Sequence, residues 1–249
     1  MENERIDEIM RYLKENKSAK VETLASLLYT SEATIRRDLK KMQAMGLIER
    51  VHGGAYIDER SGEISHLLRK KKNESGKREV ARLAIDVIPQ FNTLFVDSST
   101  TSLYLLERLN LGLKTVVTNG IQSAEALTKL GNVSVILLGG RVEPNTNSVI
   151  GSLTISQLDD FRFDLAICSC AAIKDGYAYE RTVDVGEVKK KAISNSNHKI
   201  LLADSEKFFG EGAYRGCSLR TFDAVVTDKL PPEEERNEDI CFISGENME

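Results

Sequence analysis

In the N-terminal part of the chain apolar residues recur at helical spacing. Ile6, Ile9, Met10 and Leu13 fall at i, i+3, i+4 and i+7, which predicts an amphipathic helix with one buried stripe. Asn16-Lys17-Ser18 breaks it, and Val21, Leu24, Leu27 and Leu28 form a second, shorter stripe. Ser31 stands as an N-cap, its hydroxyl able to accept from free backbone N–H groups at the start of a third helix. That helix turns Ile35, Leu39 and Met42 inward and stops near Gly46. Leu47–Val51 and Ala55-Tyr56 flank His52-Gly53-Gly54, the pattern of a hairpin with a glycine turn. Residues 58–78 are polar and charged, with Gly62 and Gly76, and read as a partly helical linker.

From Val80 the pattern changes to short apolar runs, each followed by a polar or glycine turn. The runs are Thr93–Val96, Thr115–Val117, Val133–Leu138, Leu165–Cys168, Lys199–Ala203 and Ala224–Val226. Helix candidates lie between most of them: Ser102–Leu109, Ile121–Leu130 and Val185–Asn195. Strands alternating with helices predict a mostly parallel sheet covered by helices. The expected architecture is therefore α/β: an N-terminal winged helix-turn-helix (1–57), a linker (58–78), and a larger, mostly parallel α/β domain (79–249).

Composition alters this picture little. With 41% hydrophobic and 29% charged residues, a core of ordinary size can form. No apolar run reaches the roughly 20 residues of a bilayer span. The start MENERIDEIM has no apolar core of a secretory signal. Cys168 and Cys170 share one face of an apolar run; no CxxC and no Cys/His cluster is present. These features point to buried, reduced thiols in a cytoplasmic protein, with no metal and no cofactor. The net charge of −4 weighs against nucleic acid, but its distribution matters more. His66 to Arg82 holds seven Lys/Arg against two Glu, while Pro231 to Glu249 holds seven acids against one Arg. The acidic tail masks a basic segment.

The third helix is the sharpest N-terminal feature. At about 100° per residue, Ala33, Arg36, Arg37 and Lys40 lie opposite Ile35, Leu39 and Met42. A small residue near the helix start, with cations after it, suits close approach to a major groove and guanidinium contacts to guanine or phosphate. The competing reading is a solvated charged face; the short preceding helix, the tight turn at Tyr29-Thr30, the capping Ser31 and the glycine hairpin favour DNA. The stretches Ser31-Glu32-Ala33-Thr34-Ile35-Arg36-Arg37-Asp38-Leu39 and Gly46-Leu47-Ile48-Glu49-Arg50-Val51-His52-Gly53-Gly54-Ala55 resemble the signature of the DeoR family of repressors. The resemblance implies a recognition helix through Arg36 and Arg37 and a wing at the paired glycines. The candidate DNA-binding residues are Ser31, Ala33, Thr34, Arg36, Arg37, Lys40, Arg50, His52 and Gly53. Asp38, an acid within the basic helix, either turns away to pair with an Arg such as Arg50 or stands exposed without a partner. His52 either meets phosphate or only caps the turn. Arg69–Lys72 either adds phosphate contacts or, as the first reading, is solvated linker.

In the larger domain, Val96 runs into Asp97-Ser98-Ser99-Thr100-Thr101 and then a helix. Backbone N–H groups and four hydroxyls at a helix start make an anion site, although one hydroxyl alone would serve as a cap. Other strand ends carry Thr118-Asn119-Gly120, Gly139-Gly140-Arg141 and Asp204-Ser205. Ligands bind outside the carboxyl ends of parallel strands, so these ends are read as one pocket. Two glycines admit close backbone approach, or mark only a turn. Lys189 and Lys207 are candidates to reach the anion. Asp97 with Ser99-Thr100-Thr101, Thr118-Asn119, Gly139-Gly140, Gly151, Glu187 with Lys189, and Asp204-Ser205 with Lys207 resemble the DeoR-type sensor domain, which is similar in fold to sugar-phosphate isomerases. Ser98-Ser99 departs from the family, which often has a glycine before the threonine. The resemblance implies a phosphorylated sugar or polyol effector; the residues themselves indicate only an anion pocket. The candidate effector residues are Asp97, Ser98, Ser99, Thr100, Thr101, Thr118, Asn119, Gly139, Gly140, Arg141, Lys189, Asp204 and Lys207.

The first expectation is thus a ligand-controlled repressor of a sugar or polyol operon, bound to operator double-stranded DNA as a homodimer or homotetramer, with no membrane partner. The second is an isomerase with an appended domain, for which Asp97, Asp204 or Glu187 would have to act as base. RNA binding ranks last, because aromatic residues are 6% and no aromatic strand pair offers base stacking.

Overall fold

A computed structural model of the chain describes residues 2–44, 47–56 and 66–245. It divides into two compact units, Met1–Leu67 and Leu68–Glu249. The expected helix end near Gly46, the segment 57–65 with Gly62, and the last four residues of the acidic tail lie outside the described residues.

The first unit begins with α1 (Glu2–Asn16), whose Ile6, Ile9, Met10 and Leu13 are buried as the spacing predicts. Lys17 closes it at φ +65°, a left-handed stop of the usual C-terminal kind. The next three residues form β1 (Ser18–Lys20), a strand the sequence pattern did not announce. α2 (Val21–Leu27) and α3 (Glu32–Ala44) follow, joined by a turn in which Tyr29 has φ +47° and lies almost wholly exposed. Val21 and Leu24 seat α2, but Leu27 faces solvent. It sits about 100° around the helix from Leu28, too far for one narrow stripe on two turns. Ile35, Leu39 and Met42 are fully buried and anchor α3. The hairpin of β2 (Glu49–Val51) and β3 (Gly54–Tyr56) completes a sheet of order β1-β3-β2. Gly53 turns it at φ +82°. Gly54 has no room for a side chain: a Cβ there would lie 2.4 Å from the Ala19 carbonyl oxygen on β1.

In the second unit, α4 (His66–Lys71) and α5 (Glu74–Val87) lead into β4 (Thr93–Val96), α6 (Thr100–Leu106), β5 (Thr115–Thr118), α7 (Ile121–Thr128) and β6 (Ser134–Leu137). A small hairpin, β7 (Arg141–Glu143) and β8 (Ser148–Ile150), precedes α8 (Ser152–Leu158) and β9 (Phe163–Ser169). β10 (Ala172–Lys174), β11 (Tyr177–Glu180), α9 (Val183–Ser194), β12 (Ser196–Leu202), β13 (Tyr214–Ser218), β14 (Ala224–Val226) and β15 (Phe242–Ile243) finish the chain. Every predicted apolar run is a strand of one seven-stranded sheet, ordered β15-β14-β12-β9-β4-β5-β6 and parallel throughout. Alternate residues feed two cores: Phe95, Val117, Cys168, Leu201 and Val225 on one face, and Leu94, Val96, Val116, Ile167 and Leu202 on the other. β10, β11 and β13 form a separate antiparallel sheet.

α5 is a packed helix of the second unit rather than linker. It begins at Glu74 and buries Val80, Ala81, Leu83 and Ala84, so the linker reading for 74–78 is corrected by the apolar stripe that continues from it. Cys168 and Cys170 are free and buried. Burial pushes the Cys170 thiol up to about 12 and that of Cys168 well above its ordinary value, so neither is a reactive thiolate. Among the described residues no helix is long and apolar enough to cross a membrane, and no group of His, Cys, Asp or Glu could hold a metal ion.

Candidate functional site

The exposed face of α3 is built from its cap outward. The Ser31 Oγ accepts the Thr34 N–H at 3.2 Å and lies 2.9 Å from the Thr34 hydroxyl. Ala33, Arg36, Arg37 and Lys40 are exposed, as are Arg50 on β2 and His52 and Gly53 in the wing turn. Arg36 donates to Glu32 one turn back at 2.5 Å. Exposed pairs of this kind contribute little and open readily. Arg37, Lys40, Arg50 and His52 have no ion pair among the described residues. A seated helix thus offers small residues first and unengaged cations after.

Asp38 is neither exposed nor paired with Arg50. It is buried, and its carboxylate accepts from Arg5 of α1 at 2.6 and 3.3 Å. The partner lies 33 residues away, beyond any local pattern. This fork fixes α1 against α3 and removes the acid from the cationic face. Asp38→Ala is expected to lower the stability of the first unit by about 1–3 kcal/mol, since it removes the two charge-assisted hydrogen bonds between α1 and α3. Denaturant titration of the intact chain checks this; an unchanged midpoint would mean that the fork contributes nothing.

In the second unit the structure sorts the expected residues into braces and open groups. Asp97 is a brace. It is fully buried at the end of β4, and its Oδ1 accepts the Ser99 N–H (3.1 Å) and the Ser102 hydroxyl (2.7 Å). Its Oδ2 accepts the Ser169 N–H (2.9 Å) and lies 3.1 Å from the Lys189 ammonium. Lys189 also donates to Glu180 (2.7 Å) and to the Ser169 carbonyl (2.6 Å). Its three donors are spent, so the expected reach to an anion is replaced by a buried network. Burial alone would lift the Asp97 carboxyl, but the Lys189 charge and the N–H and hydroxyl donors hold it below its usual value. Burial opposes the Lys189 charge, yet Glu180 and Asp97 together raise its pKa. For Glu180 burial wins and the carboxyl rises. Glu180 escaped sequence reading, because nothing local to β11 marks it. Glu187 is half exposed and bonded to Tyr214 and Lys190, away from Lys189.

Ser99 is the α6 cap, accepting the Ser102 N–H at 3.1 Å. The N–H groups of Ser98, Thr100 and Thr101, and the hydroxyls of all three, make no hydrogen bond among the described residues. The Thr118 hydroxyl accepts the Gly120 N–H, and Asn119 donates to the Val149 carbonyl while its own Oδ1 is buried and unpaired. Gly139 and Gly140 serve packing rather than open approach to a ligand. The Gly139 N–H and carbonyl are taken by Gln157 and Thr154 of α8, and a Cβ on Gly140 would lie 2.2 Å from the Thr154 hydroxyl. Arg141, exposed on β7, pairs with Asp184 at the start of α9 and with Glu143. At the end of β12, Asp204 is buried with Oδ2 unpaired, and the Lys207 ammonium has no ion pair or hydrogen bond among the described residues.

Two family models match the chain: a DeoR-like helix-turn-helix domain over residues 5–61 and a DeoR C terminal sensor domain over residues 72–229. The lactose phosphotransferase system repressor of Staphylococcus epidermidis is 31% identical over 229 residues, 90% of this chain and 91% of the relative. The transcriptional repressor GlcR of Bacillus subtilis is 30% identical over 247 residues, 99% and 94% of the two chains. The repressor CsqR of Escherichia coli is 29% identical over 232 residues, 92% and 89%.

Proposed function

The chain belongs to the DeoR family of transcriptional regulators, and from that membership we propose that it represses a sugar or polyol utilisation operon until a phosphorylated sugar occupies its second unit. It is a DNA-binding regulator and not an enzyme. The observation that carries the operator reading is α3: a helix seated by Ile35, Leu39 and Met42 with Ala33, Arg36, Arg37 and Lys40 exposed. We assign base contacts to Ala33, Thr34, Arg36 and Arg37, and phosphate contacts to Ser31, Lys40, Arg50, His52 and the Gly53 backbone. Two such units, held about 34 Å apart in a homodimer or homotetramer, would match half-sites one turn apart. A protein that represses at operator DNA would act in the cytoplasm.

The effector site takes a division of labour from the geometry. Ser98, Thr100 and Thr101 offer N–H and hydroxyl donors to a phosphate, and Asn119, Asp204 and Lys207 offer groups for hydroxyls and charge. Asp97, Ser99, Thr118, Gly139, Gly140, Arg141 and Lys189 shape and hold the loops. The effector shifts the protein toward a state with different operator affinity, by no more than its difference in affinity for the two states.

The test is a thermal-shift series with aldose and ketose phosphates, followed by operator titration. A ligand present at about 100 times its dissociation constant should stabilise by about 2.7 kcal/mol and change operator affinity. Binding without any change in operator affinity would overturn the control scheme.

A further inference from the structure

The corner between α4 and α5 is fastened to the turn after β12, and its fastenings are chemically unusual. Lys77, on the second turn of α5, is buried, and its ammonium donates to the carbonyls of Arg69 and Lys72 at the end of α4. The Tyr104 hydroxyl takes the Lys70 carbonyl at 3.2 Å. The last carbonyls of a short helix are thus capped by side chains of α5 and α6. Asn73, between the helices, holds φ +45° and donates to Asp204 Oδ1 at 3.0 Å. Lys72 pairs with Glu206 at 2.7 Å. Gly76 makes the approach possible, because a Cβ there would lie 2.4 Å from the Asn73 amide nitrogen and 2.7 Å from Asp228 Oδ2.

A neutral amide could cap carbonyls without the cost of burying a charge. Burial already pulls the Lys77 ammonium down to about 8, with Lys207 and Arg69 adding to the fall and Asp204 and Glu206 opposing it. Two of its three protons are engaged. Beside it stand the unpaired Lys207 and the buried, unpaired Asp204 Oδ2. Two cations and an open acceptor suit a ligand that carries both phosphate and hydroxyl groups.

We propose that Lys77 is a phosphate ligand of the sensor, and that the anion draws its ammonium from the α4 carbonyls, so that ligand occupancy at Asp204 and Lys207 loosens the α4–α5 corner. The proposal rests on the effector reading above and adds how occupancy leaves the site. The chain passes from the first unit to the second within α4, so uncapping α4 acts on the segment that leads to the operator-binding helices. Asn73 reports the same event from the other side, since a ligand hydroxyl on Asp204 competes with its amide.

The experiment is amide hydrogen exchange on the full-length protein, with and without inorganic phosphate, for the wild type, Lys77→Gln and Asn73→Ala. In the wild type, phosphate should speed exchange at residues 68–77 by about threefold or more while slowing it at 98–101. Lys77→Gln should abolish the response at 68–77 and keep that at 98–101. Asn73→Ala, which retains the cation, should show fast corner exchange before phosphate is added. Protection at 98–101 with no change at 68–77 in the wild type would overturn the coupling while leaving the effector reading intact. No change at either segment would sink both. An undiminished corner response in Lys77→Gln would remove Lys77 from the site.

Discussion

Replacing Arg37 by alanine should weaken the operator complex by about 1–3 kcal/mol, roughly 5- to 150-fold, while binding to random duplex falls much less. Arg37 is exposed on α3 and has no ion pair among the described residues, so under the proposed assignment its guanidinium would meet a base edge without first leaving a partner. Arg36→Ala should fall short of this only slightly, because the exposed Glu32 pair that must open first is weak. Lys40, further along the helix, is a phosphate contact in this scheme. Lys40→Ala should reduce affinity evenly across sequences and lower the salt slope by about one. Titration of operator and scrambled duplexes at two salt concentrations separates these outcomes. Equal losses on both duplexes for Arg37→Ala would assign it to phosphate, and α3 would lose its role in reading sequence.

What could be read in advance followed from periodicity. The helical stripe of Ile6, Ile9, Met10 and Leu13, the Ser31 cap and the strand runs of the parallel sheet are local patterns, and each is where it was expected. β1, β10 and β11 escaped because Ser18-Ala19-Lys20, Ala172-Ile173-Lys174 and Tyr177-Ala178-Tyr179-Glu180 hold no continuous apolar run of the kind that marks equally short strands such as β4, β5 and β14. Their pairing is decided by the tertiary neighbours, as Ser18–Lys20 is by β3. The candidate site was legible as chemistry but not as connection. The polar residues at the ends of β4, β5 and β12 were visible, yet which of them brace and which stay open depends on contacts far along the chain. Asp97 meets Ser169, 72 residues on, and Asn73 meets Asp204, 131 residues on. Lys189 was picked out for its charge, and only the fold shows that Asp97 and Glu180 consume it.

That consumption makes Lys189→Met the most damaging single change expected in the second unit, at about 3–5 kcal/mol, because it leaves two carboxylates facing each other without a cation. For a unit of this size each kcal/mol corresponds to roughly 2–4 °C in melting temperature. The sign of the pH dependence follows from the same contacts. Without Lys189 both carboxyls are desolvated, and their folded-state pKa values rise above the unfolded ones. The folded state then binds protons more avidly than the unfolded one, so the variant gains stability as pH falls from neutral toward the carboxylate range. In the wild type Asp97 is held low by Lys189 and by N–H and hydroxyl donors against the effect of burial, while burial raises Glu180, so the two carboxyls oppose each other and the gain should be smaller. The gap between the two proteins is therefore widest at neutral pH and narrows in acid. Adding Glu180→Gln to Lys189→Met should recover much of the loss, since one buried charge then disappears and Asp97 keeps its Ser99, Ser102 and Ser169 donors. Denaturant unfolding at pH 5 and pH 7.5 for the three variants measures each term. A Lys189→Met protein as stable as the wild type at neutral pH would show that the network is ornamental, and the loop between β4 and α6 would need another explanation for its shape.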